Sequence, residues 1–151
     1  MKKTVMLFAC VISAFGLTTQ AALPSNAKLS LNKNNIQVWT YKDASNSVLS
    51  YKAETTLDVP IDRAVALVLD VKYSPKWVPD VAKAEVLSRD DKKGVFSIYM
   101  VLDFPFPLKD RDMVVKGTMS KDANGSIFIK NSAIQQGKAL KPDYVRLKDY
   151  S

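Results

Sequence analysis

The chain has 151 residues, enough for one domain with its own core, and its 47% hydrophobic and 25% charged residues are those of a folded globular protein. It contains no histidine and a single cysteine, Cys10, which removes a Ser-His-Asp triad, a Cys-His pair, a histidine-ligated metal site and any intrachain disulfide. The formal charge of +7 is scattered, with Lys92-Lys93 the one adjacent basic pair after Lys2-Lys3; this is a solvated surface with weak attraction to anionic headgroups, not the clustered stripe that nucleic acid requires.

Residues 1–21 read as a secretory signal peptide. Lys2 and Lys3 form the positive start, residues 4–17 are apolar and uncharged, and Thr18-Thr19-Gln20-Ala21 supplies small residues for cleavage after Ala21. The apolar run is too short for a comfortable membrane span. Cys10 has too few apolar residues before it for lipid attachment. The mature protein is therefore expected in the periplasm or outside the cell, where its lack of cysteines is compatible with an oxidising compartment.

Residues 22–35 are polar and Asn-rich and read as a loose lead-in. Residues 36–42, IQVWTYK, are rich in β-formers, and after a turn cluster at 43–46 the stretch 47–59 alternates, with Leu49, Tyr51, Ala53, Leu57 and Val59 on one face. These two strands are expected to pair as a hairpin. Pro60 then opens a helix, since its missing N–H costs nothing in the first turn; Ile61, Ala64, Val65, Val68 and Leu69 share a face and the helix ends near Asp70. Residues 72–80, KYSPKWVPD, predict a short helix or turn pinned by Trp77.

Strands follow at 84–89 and 95–104. In the second, Phe96, Ile98, Met100, Leu102 and Phe104 line one face, and the other (Val95, Ser97, Tyr99, Val101, Asp103) is half apolar, so cover on both sides is expected. Pro105 and Pro107 stop the strand, because each fixes φ and lacks an N–H. From Arg111 to Ser120 alternation sets Arg111, Met113, Val115, Gly117 and Met119 against Asp112, Val114, Lys116, Thr118 and Ser120; the first set is more apolar, which turns Arg111 inward. KDANG (121–125) is a turn, 126–133 a strand with Ile127 and Ile129 on one face, and 144–150 the start of another.

Two strands, a proline-opened helix and then an antiparallel meander make an α+β order. The run Pro105-Phe106-Pro107-Leu108-Lys109-Asp110-Arg111-Asp112-Met113-Val114 resembles the Pro-aromatic-Pro, Asp-Arg-Asp-aromatic-Val signature of START-type lipid-transfer domains, with Met113 where an aromatic is usual. The resemblance extends over 36–151. It implies a helix-grip fold, in which a curved antiparallel sheet grips a long C-terminal helix and a lipid lies between them. The family pattern runs on past Ser151 into further strands and that helix, so the chain reads as incomplete at its C-terminus, with an apolar inner face left uncovered.

What the resemblance implies is binding or transfer of a lipid or sterol-like hydrophobic ligand without a cofactor and without bond breaking. Its superfamily also offers an enzyme of the cyclase or aromatase kind, with Arg111 and Tyr99 as candidate donors; a fragment without independent function is the third reading. Arg111 either meets a ligand oxygen or pairs with Asp103, Asp110 or Asp112. Asp110 and Asp112 read as turn and arginine partners rather than an acid–base pair. Met100, Met113 and Met119 suit an adaptable apolar wall or a plain core, and Trp77, Trp39 and Phe104 are either wall or core aromatics. The candidate ligand-binding set is Arg111, Met113, Met100, Tyr99, Trp77 and Phe104. Transient contact with a membrane surface completes the expectation; oligomeric state is left open.

Overall fold

A computed structural model describes residues 23–44 and 48–148. The predicted signal peptide (1–21), half of the 43–46 turn and the end of the last predicted strand lie outside the described residues. The chain divides into two units, 1–58 and 59–151.

The first unit is a three-stranded antiparallel sheet of β1 (Lys28–Lys33), β2 (Ile36–Lys42) and β3 (Leu49–Thr55), in that order. β1 corrects the loose lead-in. Asn34 and Asn35 have φ of 54° and 60°, the left-handed pair that a two-residue hairpin needs and that asparagine tolerates. This turn, and not composition, makes the Asn-rich segment a strand. The β2–β3 hairpin forms with Trp39 opposite Lys52. Alternation along β3 is present with its sense reversed: Leu49 and Tyr51 are exposed, and Ser50, Lys52 and Glu54 are half-buried. Lys52 lies 6.0 Å from the Trp39 ring centre and pairs with Glu54 at 2.6 Å, so the long polar side chains shelter one another.

The second unit begins with α1 (Ile61–Leu69), capped by Pro60, with Asp62 in its first turn where the helix dipole favours an acid. Asp70 ends α1 and starts a 3₁₀ turn, Val71–Lys76, its carboxylate accepting from Tyr73 N at 3.3 Å. The sheet follows: β4 (Val81–Asp90), β5 (Val95–Leu102), β6 (Arg111–Lys121) and β7 (Ile127–Ile134), consecutive and antiparallel. Irregular register between Val81 and Lys83 and between Val86 and Ser88 interrupts β4, which bends a strand. Gly94 closes the β4–β5 turn. Its φ is +61° and a Cβ would stand 2.3 Å from the Met119 carbonyl oxygen, so glycine is required there. At the β6–β7 turn Asp122 Oδ1 accepts from Asn124 N and Ser126 N, both at 2.9 Å. The final predicted strand shrinks to β8, Val145–Arg146, parallel to the start of β6. Residues between β7 and β8 form an irregular strap, and the described residues after β7 contain no helix.

Candidate functional site

The register gives the β4–β7 sheet two unlike faces. Tyr99 lies opposite Val114, and Val114 opposite Ile134; Val101 lies opposite Asp112. This is the face that alternation ranks as the less apolar, yet it holds a buried cluster: Tyr99, Val101 and Val114 are buried, with Leu87, Ile134 and Tyr144 packed on them. The strap closes it. Arg146 donates to Asp112 from Nε at 2.8 Å and from Nη2 at 2.9 Å, and the Tyr99 hydroxyl donates to Asp112 Oδ2 at 3.0 Å. Arg146 also donates to the Lys138 and Ala139 carbonyls, both at 3.3 Å. Lys138 pairs with Glu85 and sits 5.1 Å from the Tyr99 ring centre.

The electrostatics follow from these contacts. Arg146, then Tyr99, holds the Asp112 carboxyl below the usual carboxylate range against the opposing effect of burial. Asp112 in turn raises Arg146. Burial first, and the hydrogen bond to Asp112 second, pushes the Tyr99 phenol up to about 12. Lys138 lowers Glu85. These groups are locked in mutual contacts, which makes the face a closure.

The opposite face is apolar. β5 presents Phe96, Ile98, Met100 and Leu102, and β6 presents Met113, Val115, Gly117 and Met119 across from them. Burial here is deepest along β6, in Met113, Val115 and Gly117, whereas the β5 residues are half-buried. Leu69 and Val71 join Val86, Phe96, Ile98 and Met119 around a cavity of about 20 Å³, which has room for about one water. From β7 the same face receives Ile129, Asn131 and Ala133, and Asn131 Oδ1 is buried with no hydrogen-bond partner.

Arg111, Met113 and Met100 of the predicted set share this face. The Arg111 guanidinium lies 4.4 Å from the Phe104 ring centre and donates to the Lys109 carbonyl. It makes no ion pair with Asp103, Asp110 or Asp112. Asp112 instead takes Arg146, and Asp110 accepts from Phe104 N at 3.1 Å, pinning the base of the turn. Tyr99 keeps the face that alternation gives it, opposite Met100 and Met113, and is tied there to Asp112, so its inclusion in one set with them is corrected and the Arg111–Tyr99 pair of the cyclase reading does not share one site. Trp77 is 44% exposed at the end of the 3₁₀ turn and does not line the cavity. The reading also missed Asn131. Its one signal was an amide following Ile127 and Ile129 on the same strand face.

The loop at residues 103–110 carries Phe106, which is 98% exposed, with half-exposed Leu108 beside it. Lys109 Nζ reaches the Pro142 carbonyl at 3.2 Å, which brings exposed Leu140 and Lys141 of the strap to the same region.

The sheet thus has one ion-paired, closed face and one apolar face. Residues 24–150 match the START domain family model, and the chain belongs to that family. It is 26% identical over 123 residues to mouse (Mus musculus) StAR-related lipid transfer protein 7, mitochondrial, a match covering 80% of this chain and 33% of that protein. The chain thus spans about a third of the length of that curated relative. Among solved structures, a STAR-related lipid transfer protein of Xanthomonas axonopodis superposes with a TM-score of 0.76 at 24% identity, covering 82% of this chain and 69% of that one. Human STARD10 superposes at 0.71 with 20% identity, covering 82% and 51%. The fold is accordingly the α+β helix-grip type with antiparallel sheets and few helices.

Proposed function

We propose that the protein binds a lipid or sterol-like molecule against the apolar face of the β4–β7 sheet and moves it between membranes. The observation that carries this reading is the apolar set Phe96, Ile98, Met100, Met113, Val115 and Met119, contiguous over two strands. The driving term is apolar area removed from water, about 25 cal/mol per Å². A cavity of about 20 Å³ is far below a lipid's volume, so the ligand would lie on the open face or part the α1 side from the sheet. The relatives named above are lipid transfer proteins, which supports the same reading. The proposed function is binding and transfer, with no bond broken.

The site of action in this proposal is the periplasm or the cell exterior, supported by Lys2-Lys3, the apolar run 4–17 and the small residues ending at Ala21. Expression of the full chain in a Gram-negative host, with intact-mass measurement and solvent extraction of the purified protein, tests both parts. The expected result is an exported chain beginning at residue 22 that yields bound apolar lipid. A chain without extractable lipid that also fails to move a fluorescent lipid between vesicles sinks the binding reading; retention of residues 1–21 in a cytoplasmic product sinks the export reading.

Contact with the membrane is assigned in this proposal to Phe106, backed by Leu108, Leu140, Lys109 and Lys141. A nearly bare aromatic between two prolines inserts its ring with little ordering cost, and the lysines suit anionic headgroups. Phe106→Ser should leave the unfolding midpoint within about 0.5 kcal/mol, as for surface substitutions generally. It should also reduce co-sedimentation with phosphatidylglycerol vesicles several-fold. Unchanged co-sedimentation would move the contact elsewhere.

A further inference from the structure

One polar atom on the apolar face, Asn131 Oδ1, is buried and accepts no hydrogen bond. Phe96, Gly117 and Asn131 lie side by side on β5, β6 and β7. A Cβ on Gly117 would stand 2.1 Å from Phe96 Cζ, 2.2 Å from Phe96 Cε2 and 2.7 Å from Asn131 Oδ1. The Phe96 ring therefore lies in the space that glycine leaves, and the Asn131 oxygen converges on the same point. That oxygen is fully shielded from water and accepts no hydrogen bond. An orphaned buried acceptor is destabilising, and leucine or valine would fill the position without that penalty. Ile129 and Ala133, its neighbours on the same face, are apolar.

We infer that Asn131 is the polar anchor of the ligand site: its Oδ1 accepts the O–H or N–H of an otherwise apolar ligand, reached when the Phe96 ring turns off Gly117. Phe96 is half-buried and already lines the small cavity with Leu69, Val71, Val86, Ile98 and Met119. Turning the ring connects that cavity to the Asn131 oxygen. The ligand class is then an amphiphile with one donor on a large hydrocarbon body, such as a long-chain alcohol, a sterol or an acylated amine. A hydrocarbon or an ester lacking a donor leaves the oxygen unpaired and binds less well, since a site built around a polar group discriminates against the analogue that cannot satisfy it.

This inference rests on the lipid-binding reading, and the experiment separates the two. The full-length protein is loaded with an environment-sensitive naphthalene dye, and dodecan-1-ol and its methyl ether are compared as competitors. The ether keeps the oxygen and adds a methyl group but has no O–H. Wild-type protein should be emptied of dye at about fivefold to tenfold lower concentration of alcohol than of ether, the effect of one hydrogen bond to an otherwise unsatisfied acceptor. Asn131→Leu should abolish the preference, and should unfold at higher denaturant than wild type because the orphan is gone. Equal competition by alcohol and ether in the wild type, or a preference that survives Asn131→Leu, overturns the inference and leaves the lipid-binding reading standing. Failure of both compounds to displace the dye overturns the lipid-binding reading, and the inference with it. The wild-type comparison does not depend on the variant folding.

Discussion

The two faces of the β4–β7 sheet solve the problem of cover in opposite ways. One holds Asp112 at 1% exposure and Arg146 at 9%, and is closed by the chain's own strap. The other buries Met113 and Val115 on β6 but keeps Phe96, Ile98, Met100 and Met119 half-buried. Alternation ranks the second face as the more apolar, which is correct, but apolarity does not decide which face the protein itself seals. A buried carboxylate demands one particular partner in one geometry, so Asp112 fixes where Arg146, and with it the strap, must lie. Methionine and phenylalanine demand only that water be displaced, and any apolar body of suitable shape does that. The closed face can thus carry stability, and the open face can accept a ligand.

The strongest way to break this division is to cut the Asp112–Arg146 pair. Arg146→Ala leaves Asp112 buried with the Tyr99 hydroxyl as its remaining donor and should cost about 3–5 kcal/mol in denaturant unfolding, as removal of one buried partner generally does. Replacing both partners, as Asp112→Leu with Arg146→Met, should recover most of that loss, because no unpaired charge remains. A loss below about 1 kcal/mol for Arg146→Ala would mean that the strap contributes little and that the faces do not differ in the way described.

Much of the fold was legible because its signals are local. β2 runs over the residues that composition and β-propensity indicate, β5 and β6 follow their alternation, and Pro60 marks the start of α1 to the residue. β1 was hidden by its composition. Lys28, Asn32 and Lys33 look like linker, and the information lay in Asn34-Asn35, a pair able to take two positive φ values. The site was half legible. Period-two spacing places Arg111, Met113 and Met100 together and Tyr99 on the opposite face, but what holds Tyr99 there was not legible, because Arg146 is 34 residues from Asp112, and Lys138 is 53 from Glu85. No periodicity encodes a partner at that distance. Asn131 was legible only as an amide on the face of Ile127 and Ile129: a polar residue in a strand ordinarily faces solvent, and the closeness of Phe96 over Gly117 shows that this one's oxygen does not.

A gentler and finer probe of the closed face is pH. Asp112 has its carboxyl lowered, by Arg146 first, so the unfolded chain holds that proton more tightly; its contribution is complete above about pH 4 and is lost as pH falls through the lower native value. Glu85, lowered by Lys138, acts in the same direction, and more weakly because it is partly exposed. Tyr99 has the opposite sense. Its phenol is raised to about 12, whereas an unfolded tyrosine ionises near pH 10, so stability is present below about pH 10 and declines as the pH approaches 12. With no histidine in the chain, the unfolding midpoint should be level between roughly pH 5 and pH 9 and fall on both sides. Tyr99→Phe should cost about 1 kcal/mol at neutral pH for the lost hydrogen bond and should flatten the alkaline limb while leaving the acid limb in place. An alkaline limb of the same depth in Tyr99→Phe would show that the phenol is not held by Asp112, and an acid limb that vanishes with it would show that Arg146 alone does not keep Asp112 ionised.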